Sequence, residues 1–160
     1  MLLTFGRPPR QTEYNAGVLG SMQALDRWAI TTGSRFEEMA SYSRALVEGE
    51  WAFVSGTAGF DSATGAFPDD PEQQTRLALG QISDALRKAG AKLADIVRVR
   101  VYLGKRDYVM PVSRILGQTF SEPRPTNTTI VCEFADPWIQ VETEVTALVC
   151  GGTTRPDGAP

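Results

Sequence analysis

The sequence contains no histidine. That absence excludes Ser-His-Asp and Cys-His catalysis, His-ligated zinc, a haem held by a proximal histidine and any imidazole general base. Cysteine is nearly as scarce. Cys132 and Cys150 are the only two, too few for a thiolate-only zinc or iron–sulfur site in one chain, and they make no disulfide framework. The lysines are three, Lys88, Lys92 and Lys105, and none completes an S-x-x-K nucleophile motif. Any chemistry must therefore come from carboxylates, hydroxyls, arginines, backbone groups or a bound cofactor.

Long apolar runs are also missing, so no membrane span is expected. The N-terminal string MLLTFGRPPRQTE turns polar too early for a signal peptide. The cytoplasm is the expected location, and Asn127-Thr128-Thr129 carries no weight there as a glycosylation acceptor. Sixteen basic residues stand against nineteen acidic ones, a net charge of −3. Nucleic acid is usually gripped by clustered Lys and Arg, so this balance argues against it as the main partner.

The 160 residues fit one domain with tails. Residues 1–33 read as an extension, with Arg7-Pro8-Pro9-Arg10 as a breaker and Val18, Leu19, Met22, Leu25 and Trp28 at helical spacing. A partly disordered arm is the alternative reading. Residues 34–150 form the domain and 151–160 a C-terminal tail. Within the domain, 42–47 and 51–56 are short and β-prone, and Glu48-Gly49-Glu50 between them supplies a hairpin turn. Gly56 to Asp70 is rich in Gly, Asp, Thr and Pro and reads as a loop. Asp70 is placed as an N-cap, Pro71 as the first helical residue and Gln73 at the capping-box position. Thr75, Ala78, Leu79, Ile82, Ala85, Leu86 and Ala89 then make one apolar face, and Gly90 ends the helix.

Residues 95–103 alternate, with Val97, Val99, Val101 and Leu103 on one side and Arg98, Arg100 and Tyr102 on the other. A second helix is expected from about Asp107 to Phe120, burying Val109, Val112, Ile115, Leu116 and Phe120, until Glu122-Pro123-Arg124-Pro125 breaks it. Strands at about 127–134 and 139–149 follow. The order β-β-α-β-α-β-β, with two helices on one face of a mixed sheet, is an α+β layer fold.

The last strand puts Ile139, Val141, Val145, Ala147 and Val149 on one face and Gln140, Glu142, Glu144 and Thr146 on the other. In an isolated domain the simplest reading of these carboxylates is a solvated sheet face. Arg98, Arg100 and Tyr102 weaken it, because a face mixing charge with aromatics suits a second subunit with a polar cavity between. Gly56-Thr57-Ala58-Gly59 lacks G-x-G-x-x-G and a lysine, and reads as a sharp turn. Cys132 and Cys150 read as small packing residues, as do Trp51 and Trp138 at the strand starts.

These elements carry a set of ordered strings. They are Tyr42-Ser43-Arg44-Ala45, Phe53-Val54-Ser55-Gly56, a D-x-x-T-G loop at Asp61–Gly65, Gln74-Thr75, Ala89-Gly90 before Asp95-Ile96-Val97, and Val141-Glu142. Together, over about residues 36–149, they resemble the RidA family (YjgF-like, endoribonuclease L-PSP-like). The resemblance implies a chorismate-mutase-like α+β fold and a homotrimer with clefts between neighbouring subunits. It further implies hydrolysis of reactive enamines and imines to keto acids and ammonia, without metal or cofactor. By position, Glu142 matches the family's water-positioning glutamate, Tyr42 its cleft tyrosine and Ser55 the serine of its S-G motif.

Three positions depart from that pattern. Asn127, in Pro125-Thr126-Asn127-Thr128, stands where the deaminases have a carboxylate-binding arginine. Thr57 replaces the usual glutamine after Ser-Gly, and Thr129 replaces the cysteine of some members. Arg124 lies three residues before Asn127 and precedes a proline. The expected activity is therefore a deaminase-type hydrolysis by Glu142 on an imine, enamine or related metabolite, with Asn127, Thr129, Tyr42, Ser55 and Thr57 recognising the ligand. It is not standard 2-aminoacrylate hydrolysis, since an asparagine cannot neutralise a carboxylate. A non-catalytic ligand-binding or regulatory trimer is the alternative, and an endoribonuclease or translation inhibitor the third reading.

Overall fold

The computed structural model describes residues 27–149. The sheet begins with β1 (Arg27–Ile30), and the short helix α1 (Arg35–Met39) leads to β2 (Ala45–Glu48) and β3 (Trp51–Ala58). The long helix α2 (Pro71–Lys88) precedes β4 (Ile96–Leu103), α3 (Val109–Thr119) precedes β5 (Thr126–Val131), and β6 (Val141–Leu148) is last. The six strands are ordered β1-β2-β3-β6-β4-β5. Only the β4–β5 pair is parallel. This is the expected α+β architecture, with β1 and α1 added in front.

Trp28 therefore lies in a strand and not on a helical stripe. Residues 27–30 alternate exposed and buried, with Trp28 and Ile30 inside, and pair antiparallel with β2 from Arg27↔Glu48 to Ile30↔Ala45. A four-residue strand is too short for its period to show against a helix in sequence. The other residues of the helical reading lie outside the described residues.

Helix α2 starts as its sequence dictates. The Asp70 carboxylate accepts from the Glu72 amide at 3.0 Å, and Pro71 occupies the first turn. Gly90 takes the left-handed conformation after the last turn, at φ 81°. All seven residues assigned to its apolar face are buried. They lie across β3 and β6, opposite Val54, Val141 and Val145, with α3 alongside contributing Val112 and Ile115. In the second helix Val109, Leu116 and Phe120 pack only partly buried against this core.

Two bulges alter the strand register foreseen from alternation. In β4 the shift falls between Ile96 and Arg98, so that Ile96 is buried and Val97 only half-buried. In β3 it falls between Val54 and Thr57. The Gly56–Ala58 segment accordingly continues the strand and is not a turn. Trp51 and Trp138 are 43% and 64% exposed, not packed. Trp51 points to the face opposite the helices, in register with Leu148 of β6.

One buried polar side chain joins the helix layer to the start of β6. Gln74 is fully buried. Its amide nitrogen donates to the carbonyls of Pro68 (2.7 Å) and Trp138 (2.9 Å). Its amide oxygen accepts from the backbone N–H of Gln140 (2.9 Å) and Val141 (3.3 Å). Both amide donors and both oxygen lone pairs are thus in use. Gln74→Leu should strip partners from four backbone groups and destabilise the fold by about 3 kcal/mol, since each buried group left unpaired costs ~1–3 kcal/mol. Denaturant unfolding would show the loss; a change under 1 kcal/mol would mean that water replaces the amide.

Candidate functional site

The face of the sheet away from the helices carries Glu142 and Glu144 on β6, in register with Tyr102 and Arg100 on β4. Arg98 stands opposite Thr146. On the other side of β6 the bulge in β3 takes Ser55 and Gly56 out of the ladder. The Ser55 amide pairs instead with the Arg44 carbonyl (3.0 Å), and its hydroxyl donates to the Ser43 carbonyl (2.7 Å). A cavity of about 420 Å³ opens on this face, walled by Tyr42, Ser55, Phe53, Arg98, Arg100 and Glu144 among others.

Glu142 does not itself wall this cavity; it lies half-buried against the backbone of Gly56, next to the lining residue Ser55. A Cβ on Gly56 would fall 2.2 Å from the Glu142 Oε1 position. The glycine of the Ser-Gly pair is thus what lets the carboxylate lie over the strand. Burial raises the Glu142 pKa above the ordinary carboxylate value, and the Glu144 charge adds to the rise, while the Arg44 guanidinium opposes it. Glu144 is held differently, paired with Arg100 at 2.7 Å. That pairing raises the Arg100 pKa. The phenol of Tyr102 is pushed up by burial and then by the Glu144 charge, against the lowering effect of Arg100.

Arg44 braces the bulge from behind. It donates to the Gly56 carbonyl and to the Thr57 hydroxyl, each at 3.1 Å, and lies 3.6 Å from the Glu37 carboxylate. Glu37, 4% exposed, also accepts from the Thr32 amide and hydroxyl. The Glu37 carbonyl in turn accepts from the Tyr42 amide at 3.1 Å. Sequence reasoning assigned no role to Arg44 or Glu37. An arginine in a β-prone string and an acid in a short helix give no signal until their partners are in place.

The assigned ligand-recognition residues fall into three places. Tyr42 and Ser55 line the cavity. Thr57 does not, being 1% exposed with its hydroxyl accepting from Arg44 and donating to the Ser55 carbonyl. The bulge turned its side chain into the interior, which strict alternation from Ser55 could not foresee. Asn127 and Thr129 sit on the exposed edge strand β5, in register with Val99 and Val101, and the Thr129 hydroxyl donates to Asn127 Oδ1 at 2.9 Å. Paired residues share a face, so within one chain these two do not meet Glu142. Arg124 is committed to an exposed pair with Glu122 at 3.0 Å. Cys132 is half-buried just beyond β5, and Cys150 lies outside the described residues.

Two substitutions probe this arrangement. A carboxyl with a raised folded-state pKa destabilises the fold once it ionises, fully above that pKa and not at all below its unfolded value. Glu142→Gln should therefore raise the melting temperature at neutral pH, with the gain vanishing as the pH falls through the carboxylate range. A gain that grows in acid would contradict the sign. Gly56→Ala should leave stability within ~1 kcal/mol of the parent, because the clashing atom is the free end of a side chain, yet displace the carboxylate. Loss of the raised Glu142 pKa, followed by NMR titration of the side-chain carboxyl, is the expected signature.

Comparison with known proteins agrees with the architecture. The endoribonuclease L-PSP family model matches residues 32–149. An uncharacterised protein of Streptomyces coelicolor is 31% identical over 119 residues, 74% of this chain and 89% of that protein. A RutC family protein of Pyrococcus abyssi is 29% identical over 119 residues, covering 74% of this chain and 94% of its own length. The crystal structure of Rv2704 from Mycobacterium tuberculosis, a member of the YjgF/YER057c/UK114 family, superposes with a TM-score of 0.71 at 36% identity, over 78% of this chain and all of that one. RidA from an Antarctic Psychrobacter shares the fold, with a TM-score of 0.65 at 22% identity over 79% of this chain and 98% of its own. The strand order, the helices on one face and the strings around Ser55 and Glu142 thus have one explanation: the chain belongs to the endoribonuclease L-PSP family, the YjgF/RidA family.

Proposed function

We propose that this protein is a RidA-like homotrimer whose inter-subunit clefts hydrolyse a small imine, enamine or related metabolite, with Glu142 as the acid/base. The observation that carries the reading is the raised pKa of a half-buried carboxyl held over Gly56 beside a cavity. In its ionised form such a group takes a proton from water as the water oxygen bonds to the imine carbon, and gives it to the nitrogen to form a carbinolamine. It then carries the carbinol O–H proton to that nitrogen, so that the C–N bond breaks, ammonia leaves and the carbonyl forms. An enamine enters the same path after protonation at carbon.

Assembly is supported by what the open face exposes. Trp51 and Phe53, two residues apart on β3, are each more than two-fifths exposed on it, and apolar surface grouped in this way marks an interaction site. Asn127 and Thr129, on the edge strand and on the face away from Glu142, reach only a Glu142 of another subunit. With Asn127 in place of an arginine, the edge strand offers no cation to a carboxylate. The same departure favours a second reading, a trimer that binds its ligand without turning it over.

Turnover and mass separate these readings. Light scattering should give three times 17.4 kDa, about 52 kDa. Keto-acid release from 2-aminoacrylate should be at least tenfold slower than for a family deaminase measured alongside, and comparable rates would overturn the argument from Asn127. On an imine that is hydrolysed, Glu142→Gln should abolish turnover and leave the trimer intact. Unchanged turnover would remove Glu142 from the mechanism and leave the binding reading.

A further inference from the structure

Arg44 sits where three elements meet. It directly precedes β2, donates to the Gly56 carbonyl and the Thr57 hydroxyl at the bulge of β3, and lies 3.6 Å from the Glu37 carboxylate of α1. The two charged side chains are 14% and 3% exposed. A guanidinium suits the task of bracing a bulge, because its planar fork serves two acceptors at once. It also brings a full positive charge close to the carboxylate that lies over Gly56, and so favours the ionised form of Glu142.

Glu37 is placed to answer that charge. Its carboxylate accepts from the Thr32 amide at 2.8 Å and from the Thr32 hydroxyl at 2.7 Å, so each oxygen already has a donor besides Arg44. The chain then doubles back, with the Tyr42 amide donating to the Glu37 carbonyl at 3.1 Å. Ser41, in this turn, is the only non-glycine residue with positive φ among the described residues, at 53°. A left-handed serine costs about 1 kcal/mol or more and persists where the surroundings impose it. Here the turn accompanies a buried contact between two charges seven positions apart in the chain. The other titratable groups around Glu142 are Glu144 on its own strand and Tyr102 and Arg100 on β4, while β3 contributes none. Arg100 is taken by Glu144 at 2.7 Å. Arg44 is thus the cation that acts on Glu142, and Glu37, which neutralises it, stands outside the cavity lining.

We propose that Glu37 is a positioning residue for Glu142, acting through Arg44: it holds the guanidinium against the bulge and counters the charge that would otherwise bear on the Glu142 carboxylate. The proposal rests on the reading of Glu142 as the acid/base. Without Glu37 the guanidinium keeps its two bonds at the bulge but stands uncompensated in a partly buried setting, where a charge reaches further than in water. It then favours the ionised Glu142 more strongly and makes that carboxylate a weaker base toward water. The residue that bears the charge also accepts from the Tyr42 amide through its carbonyl, so Glu37 holds a wall of the cavity as well.

NMR titration of the Glu142 side-chain carboxyl in the full chain reports this coupling without any substrate. Glu37→Gln keeps the shape, removes the charge and should move that titration down by about half a pH unit or more, the scale of one charge at ~10 Å in a partly buried site. Asp84→Asn, on the exposed surface of α2, removes the same charge elsewhere and should leave the titration where it is. In the Arg44→Gln background Glu37→Gln should have less than half its effect, because the interaction runs through the guanidinium. The double variant leaves no unpaired buried charge and so serves even if Glu37→Gln alone fails to fold; its Glu142 should titrate above the parent's. An unchanged or raised titration in Glu37→Gln, an equal fall in Asp84→Asn, a full effect without Arg44, or a double variant that titrates as the parent does would each overturn the proposal. On an imine that is hydrolysed, the acid limb of kcat/KM should move down with the titration in Glu37→Gln. A limb that stays in place while Glu142→Gln abolishes turnover would overturn it as well. Failure of the hydrolytic reading is seen separately, as unchanged turnover in Glu142→Gln.

Discussion

The buried amide of Gln74 is the contact on which the rest of the arrangement depends. A helix layer and a sheet can slide over each other on apolar contacts alone, since burial is non-directional. Gln74 removes that freedom, because three hydrogen bonds of 2.9 to 3.3 Å fix one point of α2 to the chain entering β6, and a fourth holds the loop before α2 at Pro68. The last of these bonds falls on Val141, the residue before Glu142. The Glu142 carboxylate is thereby placed by a side chain on the opposite side of the sheet. Gly59 has a part in the same seam: its Cα passes so close to the Gln74 carbonyl that a Cβ would lie 1.8 Å away. Here the obstruction is backbone, which cannot rotate aside.

On the open face, two carboxylates two residues apart on one strand repel each other, and the protein treats them unequally. Glu144 is given a full guanidinium partner at 2.7 Å. Glu142 is given only the field of Arg44, whose hydrogen bonds go to Gly56 and Thr57 and whose nearest carboxylate is Glu37. One acid is thus ion-paired, while burial raises the pKa of the other. Divergent environments for neighbouring acids are how a single fold obtains a group suited to proton transfer. The buried Glu37–Arg44 pair sits behind this arrangement and carries Tyr42 with it through a backbone bond.

Much of this was legible in the residues. The α2 face, its cap and its end follow from spacing and from Asp70, Pro71 and Gly90. The two faces of β6 follow from strict alternation, so the placement of Glu142 and Glu144 together was available before any coordinates. What escaped detection has identifiable causes. β1 contributes four residues, fewer than one helical repeat needs to be told from a strand. Each bulge moves one residue and so reverses the side of its neighbours: Thr57, assigned to the ligand by its place after Ser-Gly, turns inward, and Ile96 is buried where alternation puts Val97. Trp51 and Trp138 read as packing residues in sequence because a tryptophan at a strand start usually means burial. Arg98 and Arg100 were seen as charges on a face, but their unequal pairing with Glu144 depends on distances across two strands.

The order of strands in the sheet gives β6 a second role. Among the described residues β6 is the last strand in sequence, yet it lies in the middle, between β3 and β4. Without it, the β1-β2-β3 group and the β4-β5 pair share no strand pairing, and each has an open edge. Open edges recruit other strands, including those of neighbouring chains. The strand bearing Glu142 and Glu144 is therefore also the one whose backbone groups join the two halves and close both edges.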